Sequence, residues 1–162
     1  MIGNIKIIAV CMCKVYDERN YRIIRALNNF AVENDYRLFV YHTCSDLYWK
    51  TLSEKGEQSV FDLIDYNITD AVVTFEEGVY AEDVMTKIRM DAAEYGKPVI
   101  SVGVEHDDCI SIKFDYAKGF EQVVRHVIEQ HGVRDIGFIA GRKDEENSEE
   151  RIAVFRKILE EY

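Results

Sequence analysis

Residues 109–141, CISIKFDYAKGFEQVVRHVIEQHGVRDIGFIAG, contain the repeating unit of the whole chain. Residues 109–114 are an apolar run of strand length. Over 116–131, Phe120, Val123, Val124, Val127 and Ile128 recur at helical spacing and draw one apolar stripe down a helix. Gly132 stands where a helix-ending glycine belongs, and 136–140 is a second strand-length apolar run. Two strands joined through a helix are a βαβ unit, and such strands lie parallel.

The same alternation extends outward in both directions. Residues 5–10 form a nearly unbroken apolar run, as expected of a central strand covered on both faces. Residues 38–41, 71–75 and 99–102 read as further strands. Helices are predicted over 18–33, with Ile23, Ile24, Leu27, Phe30 and Ala31 on one stripe; over 57–66, with Val60, Phe61 and Ile64; and over 81–95, with Val84, Met85, Ile88 and Ala92. Pro98, the only proline, follows Gly96-Lys97 and restarts the chain into a strand. A last helix begins near Ser148. The pattern predicts an α/β fold with a doubly wound parallel sheet of six strands. In such a sheet ligands bind at the carboxyl ends of the strands, where the polar, acidic connection 141–150 also falls.

Composition narrows the function. The chain has 162 residues, of which 48% are hydrophobic, enough for a real core. Twenty Lys and Arg against thirty Asp and Glu give a net charge of −10. That balance repels phosphate backbones and acidic lipid surfaces, and the longest charge run, 143–150, is itself acidic. Direct nucleic-acid contact by this chain is not expected. Residues 1–6 lack the features of a secretion signal, and no run of eighteen apolar residues occurs, so the expectation is a cytoplasmic protein without a membrane span. Cys11, Cys13, Cys44 and Cys109 are too irregularly spaced for a disulfide scaffold and read as reduced thiols. Asn67-Ile68-Thr69 matches a glycosylation acceptor by chance.

Most enzymatic signatures are missing. There is no G-x-G-x-x-G, no G-x-x-x-x-G-K-[ST], no G-x-S-x-G and no H-E-x-x-H. No cofactor, no metal and no catalysis are expected. Cys11 and Cys13 could ligate a soft metal or form a redox pair, but strand-end packing is the simpler reading. A Cys–His pair using His42 lacks a group to orient the imidazole. A phosphoacceptor receiver would need clustered carboxylates after the first strand, where Val10-Cys11 stands instead. At the end of the chain, Asn147-Ser148-Glu149-Glu150-Arg151 offers a helix cap, a capping-box carboxylate and an arginine in the first turn. The helix dipole disfavours a cation there, so Arg151 is a candidate ligand contact, with a solvated arginine as the alternative.

Several segments carry a resemblance. They are Phe61-Asp62-Leu63-Ile64 followed by Thr69-Asp70-Ala71-Val72-Val73; Tyr95-Gly96-Lys97-Pro98-Val99-Ile100; Phe114-Asp115-Tyr116-Ala117-Lys118-Gly119 with the stretch 127–141; and Ser148-x-x-Arg151-x-x-x-Phe155. Taken in order they resemble the effector-binding domain of the LacI/GalR repressors and the class I periplasmic sugar-binding proteins. Ala71 replaces the usual glycine, Val133 the usual histidine, and Ala153-Val154 depart from the small-glycine pattern.

The resemblance implies two Rossmann-like lobes that hold a small-molecule effector, sugar-like or nucleobase-like, between them. Residues 1–132 would be the first lobe and 133–162 the incomplete start of the second. Arg151 matches the arginine that reaches the ligand, and Asn147 a polar contact just before it. Arg19, Asn20 and Tyr21 fall where the first helix lines the cleft; Asp115 matches an Asp at the fifth strand end, with a helix cap as its alternative role. Arg19-Asn20 stand where aromatic residues are frequent, so the ligand class does not carry over. The implied protein is a non-catalytic sensor, a homodimer, with an output domain outside this chain such as a diguanylate cyclase. The alternative is a complete flavodoxin-like or receiver-like domain.

Overall fold

The computed structural model describes residues 5–143 and 145–162. Met1–Asn4, part of the stretch 1–6 read for a secretion signal, and Asp144 of the acidic connection lie outside the described residues. The elements are β1 (Lys6–Cys13), α1 (Glu18–Glu33), β2 (Tyr36–Thr43), α2 (Leu52–Gln58) with a 3-10 turn (Ser59–Leu63), β3 (Ala71–Phe75), α3 (Glu82–Glu94), β4 (Val99–Val102), β5 (Ile110–Ile112), α4 (Tyr116–His131) and α5 (Glu146–Glu161). The chain divides into two compact units, Met1–Lys113 and Phe114–Tyr162.

The first unit is a five-stranded sheet in the order β2-β1-β3-β4-β5, with every pairing parallel. β1 lies between β2 and β3, and Ala9, Val10, Cys11 and Met12 are all but sealed from solvent. Both of its edges and both of its faces are therefore used, which explains its unbroken apolar sequence. Asp70 fixes the entry to β3: its amide donates to Ile7 O at 2.8 Å and its Oδ2 accepts from Ile7 N at 2.7 Å. On one face Ala9, Cys11, Cys13, Val72 and Val99 pack with Leu47, Phe61, Ile64, Met85, Ile88 and Ala92. Each large apolar side chain buried in this way contributes about 1.5–3 kcal/mol. Among the described residues no helix is long and apolar enough to cross a membrane.

Two expectations shift in this unit. The helix predicted over 57–66 begins at Leu52, because Thr51 and Glu54 form a capping box: Glu54 N donates to Thr51 Oγ1 at 3.2 Å and Thr51 N to Glu54 Oε2 at 2.9 Å. The helix tightens into the 3-10 turn and stops where Ile64 turns extended. On α1, Ala31 is buried as predicted but Phe30 is 62% exposed.

In the second unit α4 has the predicted bounds. Asp115 caps it by accepting from Lys118 N at 2.8 Å, and Gly132, at φ 66, closes it in the left-handed conformation. Val124 and Ile128 of α4 pack on Ile158 of α5, with Phe120, Ile136, Val154 and Phe155 around them. This packing joins α4 to α5 in one compact unit.

The sixth strand expected over 136–140 is not formed. The segment keeps a strand's alternation: Ile136 and Phe138 turn onto the helices, Phe138 with ring centroids 5.0 Å from Phe120 and 5.2 Å from Phe155, while Ile139 is exposed. Among the described residues no backbone ladder pairs with it, and without a ladder an extended run is not a strand. The last helix also starts earlier than expected, at Glu146, with Glu145 as its cap and no side-chain capping bond. Ser148 is buried within the helix instead of capping it. Arg151 therefore stands in the second turn, and the dipole argument for it lapses.

Because Ile158 is the buried apolar side chain of α5, Ile158→Ala should cost about 2–5 kcal/mol in the second unit. Residue-resolved hydrogen exchange should show this as faster exchange of the α4 and α5 amides.

Candidate functional site

In a parallel sheet all carboxyl ends share one edge, and the strand order reverses between β1 and β3. Ligands of open α/β sheets bind at such a switch point. Here Arg19, at the start of α1, donates through Nη2 to Glu77 Oε2, just after β3, at 2.8 Å. The pair bridges the switch point. Asn20 fixes the turn that carries Arg19: its Nδ2 donates to Cys13 O at 3.0 Å and Lys14 O at 3.1 Å.

Beside this pair, Lys14 Nζ lies 2.8 Å from Asp46 Oδ2. The Lys14 hydrogen bond holds the Asp46 carboxyl below its ordinary value, and the same bond raises the Lys14 ammonium. Asp46 O accepts from Tyr80 N at 2.9 Å, tying the loop after β2 to the loop after β3. Glu57 Oε2 accepts from Cys44 N and Ser45 N, both at 2.9 Å, and holds that loop from below. Tyr48 packs edge-on against Trp49, with ring centroids 4.7 Å apart, and against Tyr80 at 5.2 Å; Trp49 remains 76% exposed. The edge therefore offers two ion pairs and an exposed aromatic face, a combination suited to hydrogen-bonding and stacking on a small polar molecule.

Behind the edge lies a cluster that sequence reasoning missed. Glu76, Arg89 and Ser101 are buried. The Glu76 carboxylate accepts from Arg89 Nη1 at 2.9 Å through both oxygens, from Thr74 Oγ1 at 2.7 Å, from Ser101 Oγ at 3.2 Å and from His106 Nε2 at 2.9 Å. Arg89 Nη2 donates to Thr86 Oγ1 at 3.1 Å, while Nε has no hydrogen-bond partner among the described residues and lies 3.8 Å from Asp108 Oδ1. A carboxylate so surrounded is held in one place, and with it the loop that carries Glu77. Gly103 completes the arrangement: at φ +101, an added methyl group would stand 2.5 Å from Glu77 Cβ. One signal was available. Arg89 shares the buried stripe of α3 with Met85, Ile88 and Ala92, and a charge on an apolar stripe calls for a buried partner.

The remaining predicted residues are placed separately. Tyr21 is 57% exposed on α1. Asp115, Asn147 and Arg151 belong to the second unit, where Asp115 caps α4 and Arg151 Nε donates to Asn147 O at 2.9 Å. Cys11 and Cys13 are packed in the core, Cys13 Sγ accepting from Thr43 Oγ1 at 2.9 Å. Burial pushes the Cys13 thiol up to about 11 and raises Cys11 as well. Among the described residues no group of three or more His, Cys, Asp or Glu side chains is placed to hold a metal ion.

No protein-family model and no curated protein matches the sequence. Solved structures do match the fold. CcpA of Lactococcus lactis superposes with a TM-score of 0.67 at 21% identity, over 96% of this chain and 54% of that one. The fold is that of the LacI-type regulators. A sugar-binding LacI-family regulator from Enterococcus faecalis matches with a TM-score of 0.65 at 16% identity, over 99% of this chain and 53% of its own. A periplasmic binding protein/LacI transcriptional regulator from Alkaliphilus metalliredigens, solved with D-xylulofuranose, matches with a TM-score of 0.64 at 19% identity, over 94% and 51%. The chain spans about half the length of the structures it matches.

Arg89→Met leaves the Glu76 carboxylate buried without its cation and should cost about 3–5 kcal/mol in urea denaturation. Raised thiols stay protonated, so at pH 8 a thiol reagent should modify exposed Cys44 in the folded protein and reach Cys11 and Cys13 only after unfolding.

Proposed function

We propose that this chain is the effector-binding part of a small-molecule sensor and is not itself a catalyst. The observation that carries the reading is the Arg19–Glu77 pair bridging the β1/β3 switch point, on a fold shared with transcriptional regulators. At this edge the Arg19–Glu77 and Lys14–Asp46 charges are paired with one another, an arrangement suited to hydrogen-bonding a ligand. The β1 edge is occupied by Lys14, paired with Asp46, and the one buried carboxylate after β3, that of Glu76, is consumed by Arg89 and His106. This favours binding over receiver-like phosphoryl chemistry.

The ligand class proposed is a sugar-like or nucleobase-like molecule. One matching regulator was solved with a sugar, and the Tyr48–Trp49–Tyr80 cluster gives an apolar ring face next to hydrogen-bonding groups. Arg19 and Asn20 are proposed to line the site from the sheet edge, with Tyr21 at its rim. Asp115, Asn147 and Arg151 are proposed as further ligand-binding residues. The working protein is proposed to be a cytoplasmic homodimer in which binding shifts the population of two conformations and so drives an output module, a diguanylate cyclase being one candidate.

A thermal-shift screen against pentoses, hexoses and nucleosides tests the reading. A ligand that binds only the folded state stabilises it by about 2.7 kcal/mol at one hundred times its dissociation constant. One compound class should raise the transition temperature by several degrees, and Arg19→Ala should abolish that shift. A screen without any shift, or a shift unchanged in Arg19→Ala, overturns the assignment of this edge.

A further inference from the structure

We propose that His126 and His131, in the second unit, form a two-imidazole site for a late first-row divalent cation such as Zn²⁺ or Ni²⁺, with water in the remaining coordination positions. Their Nε2 atoms are 3.1 Å apart, with ring centroids at 4.9 Å and planes crossed at 72°. Two imidazoles on one metal, with bonds of about 2.0–2.1 Å and an angle near 100°, hold their nitrogens about 3.1–3.2 Å apart. The two rings share a hydrogen bond through Nε2, and the separation it sets is also that of a bidentate pair, so a cation would replace the bridging proton.

Helical periodicity alone does not produce this contact. Residues five apart are rotated by roughly 140° around a helix and do not share a face. The rings meet because His131 is the last residue of α4 and the chain leaves the helix at Gly132 in the left-handed conformation. Both side chains are exposed, so a hydrated cation reaches them without opening the fold.

The surroundings favour a cation of this class. The site lies at the carbonyl end of α4, the negative end of the helix dipole, on a chain of net charge −10. Two nitrogen donors select zinc, nickel or copper over magnesium and calcium, which require oxygen. Coordination uses the Nε2 lone pair of each ring, so a ring protonated at Nε2 shifts that proton to Nδ1 and the neutral pair loses none. With two protein ligands the site is open and exchangeable, distinct from a closed structural zinc centre.

Titration calorimetry of the untagged chain with zinc chloride and with nickel sulfate tests the site. Saturable one-to-one binding is expected, weakened at least about tenfold in His126→Gln and in His131→Gln and retained in His42→Gln. Absence of saturable binding, or equal binding by the His126→Gln/His131→Gln double variant, overturns the proposal. Nickel added to the wild-type protein gives an independent check that needs no variant: the ring protons of His126 and His131 should be the first histidine signals to broaden, and broadening centred on other histidines overturns it.

Discussion

A strand that must hide both faces and satisfy both edges leaves a chain few choices, and β1 is such a strand. Its side chains from Ala9 to Met12 are withdrawn from water on both sides of the sheet, and its backbone is bonded to β2 on one side and β3 on the other. Everything in the first unit is arranged around that demand. β2 must return parallel on one side, which takes α1; β3 must arrive on the other, which takes the α2 segment and the Asp70 clamp to Ile7. The reversal of strand order between β1 and β3 is therefore a consequence of placing β1 in the middle.

The carboxyl edge acquires its chemistry from a second, costlier arrangement. An isolated carboxylate in a protein interior is strongly unfavourable, and Glu76 is tolerated because Arg89, His106, Thr74 and Ser101 surround it with donors. Such a network gives little net stability relative to apolar packing, but it allows only one geometry. The loop after β3 is thereby fixed, Gly103 backs it closely, and Glu77 meets Arg19 across the switch point. Rigidity behind the edge and polar groups along it together fix one geometry for that edge.

Much of this was legible in the sequence. The strands 71–75 and 99–102 and the helix 116–131 appear with the bounds read from periodicity, since buried strands and amphipathic helices write their periods directly into the residue order. The resemblance alone singles out Arg19 and Asn20, and their contacts, Arg19 with Glu77 and Asn20 with the Cys13 and Lys14 carbonyls, do not show in periodicity. The capping box at Thr51 starts its helix ahead of the apolar spacing over 57–66, because Thr51 and Glu54 are polar and add nothing to that period. The segment 136–140 has the residues of a strand and the alternation of one, yet it lies on two helices with no ladder, because composition specifies that a run is extended and buried on one side but not that a partner is alongside.

What the sequence determined by itself is the class of fold and the parallel sheet, both of which follow from local periodicity and chain connectivity. Tertiary structure alone decided which polar residues meet. Glu76 finds Arg89, Ser101 and His106, and His126 finds His131 around the end of a helix, because these contacts depend on the relative placement of separate elements and on where a helix stops. A hydrogen bond requires positions to agree within a few tenths of an ångström, whereas hydrophobic burial is non-directional and a residue's place in a periodic pattern is enough to specify it.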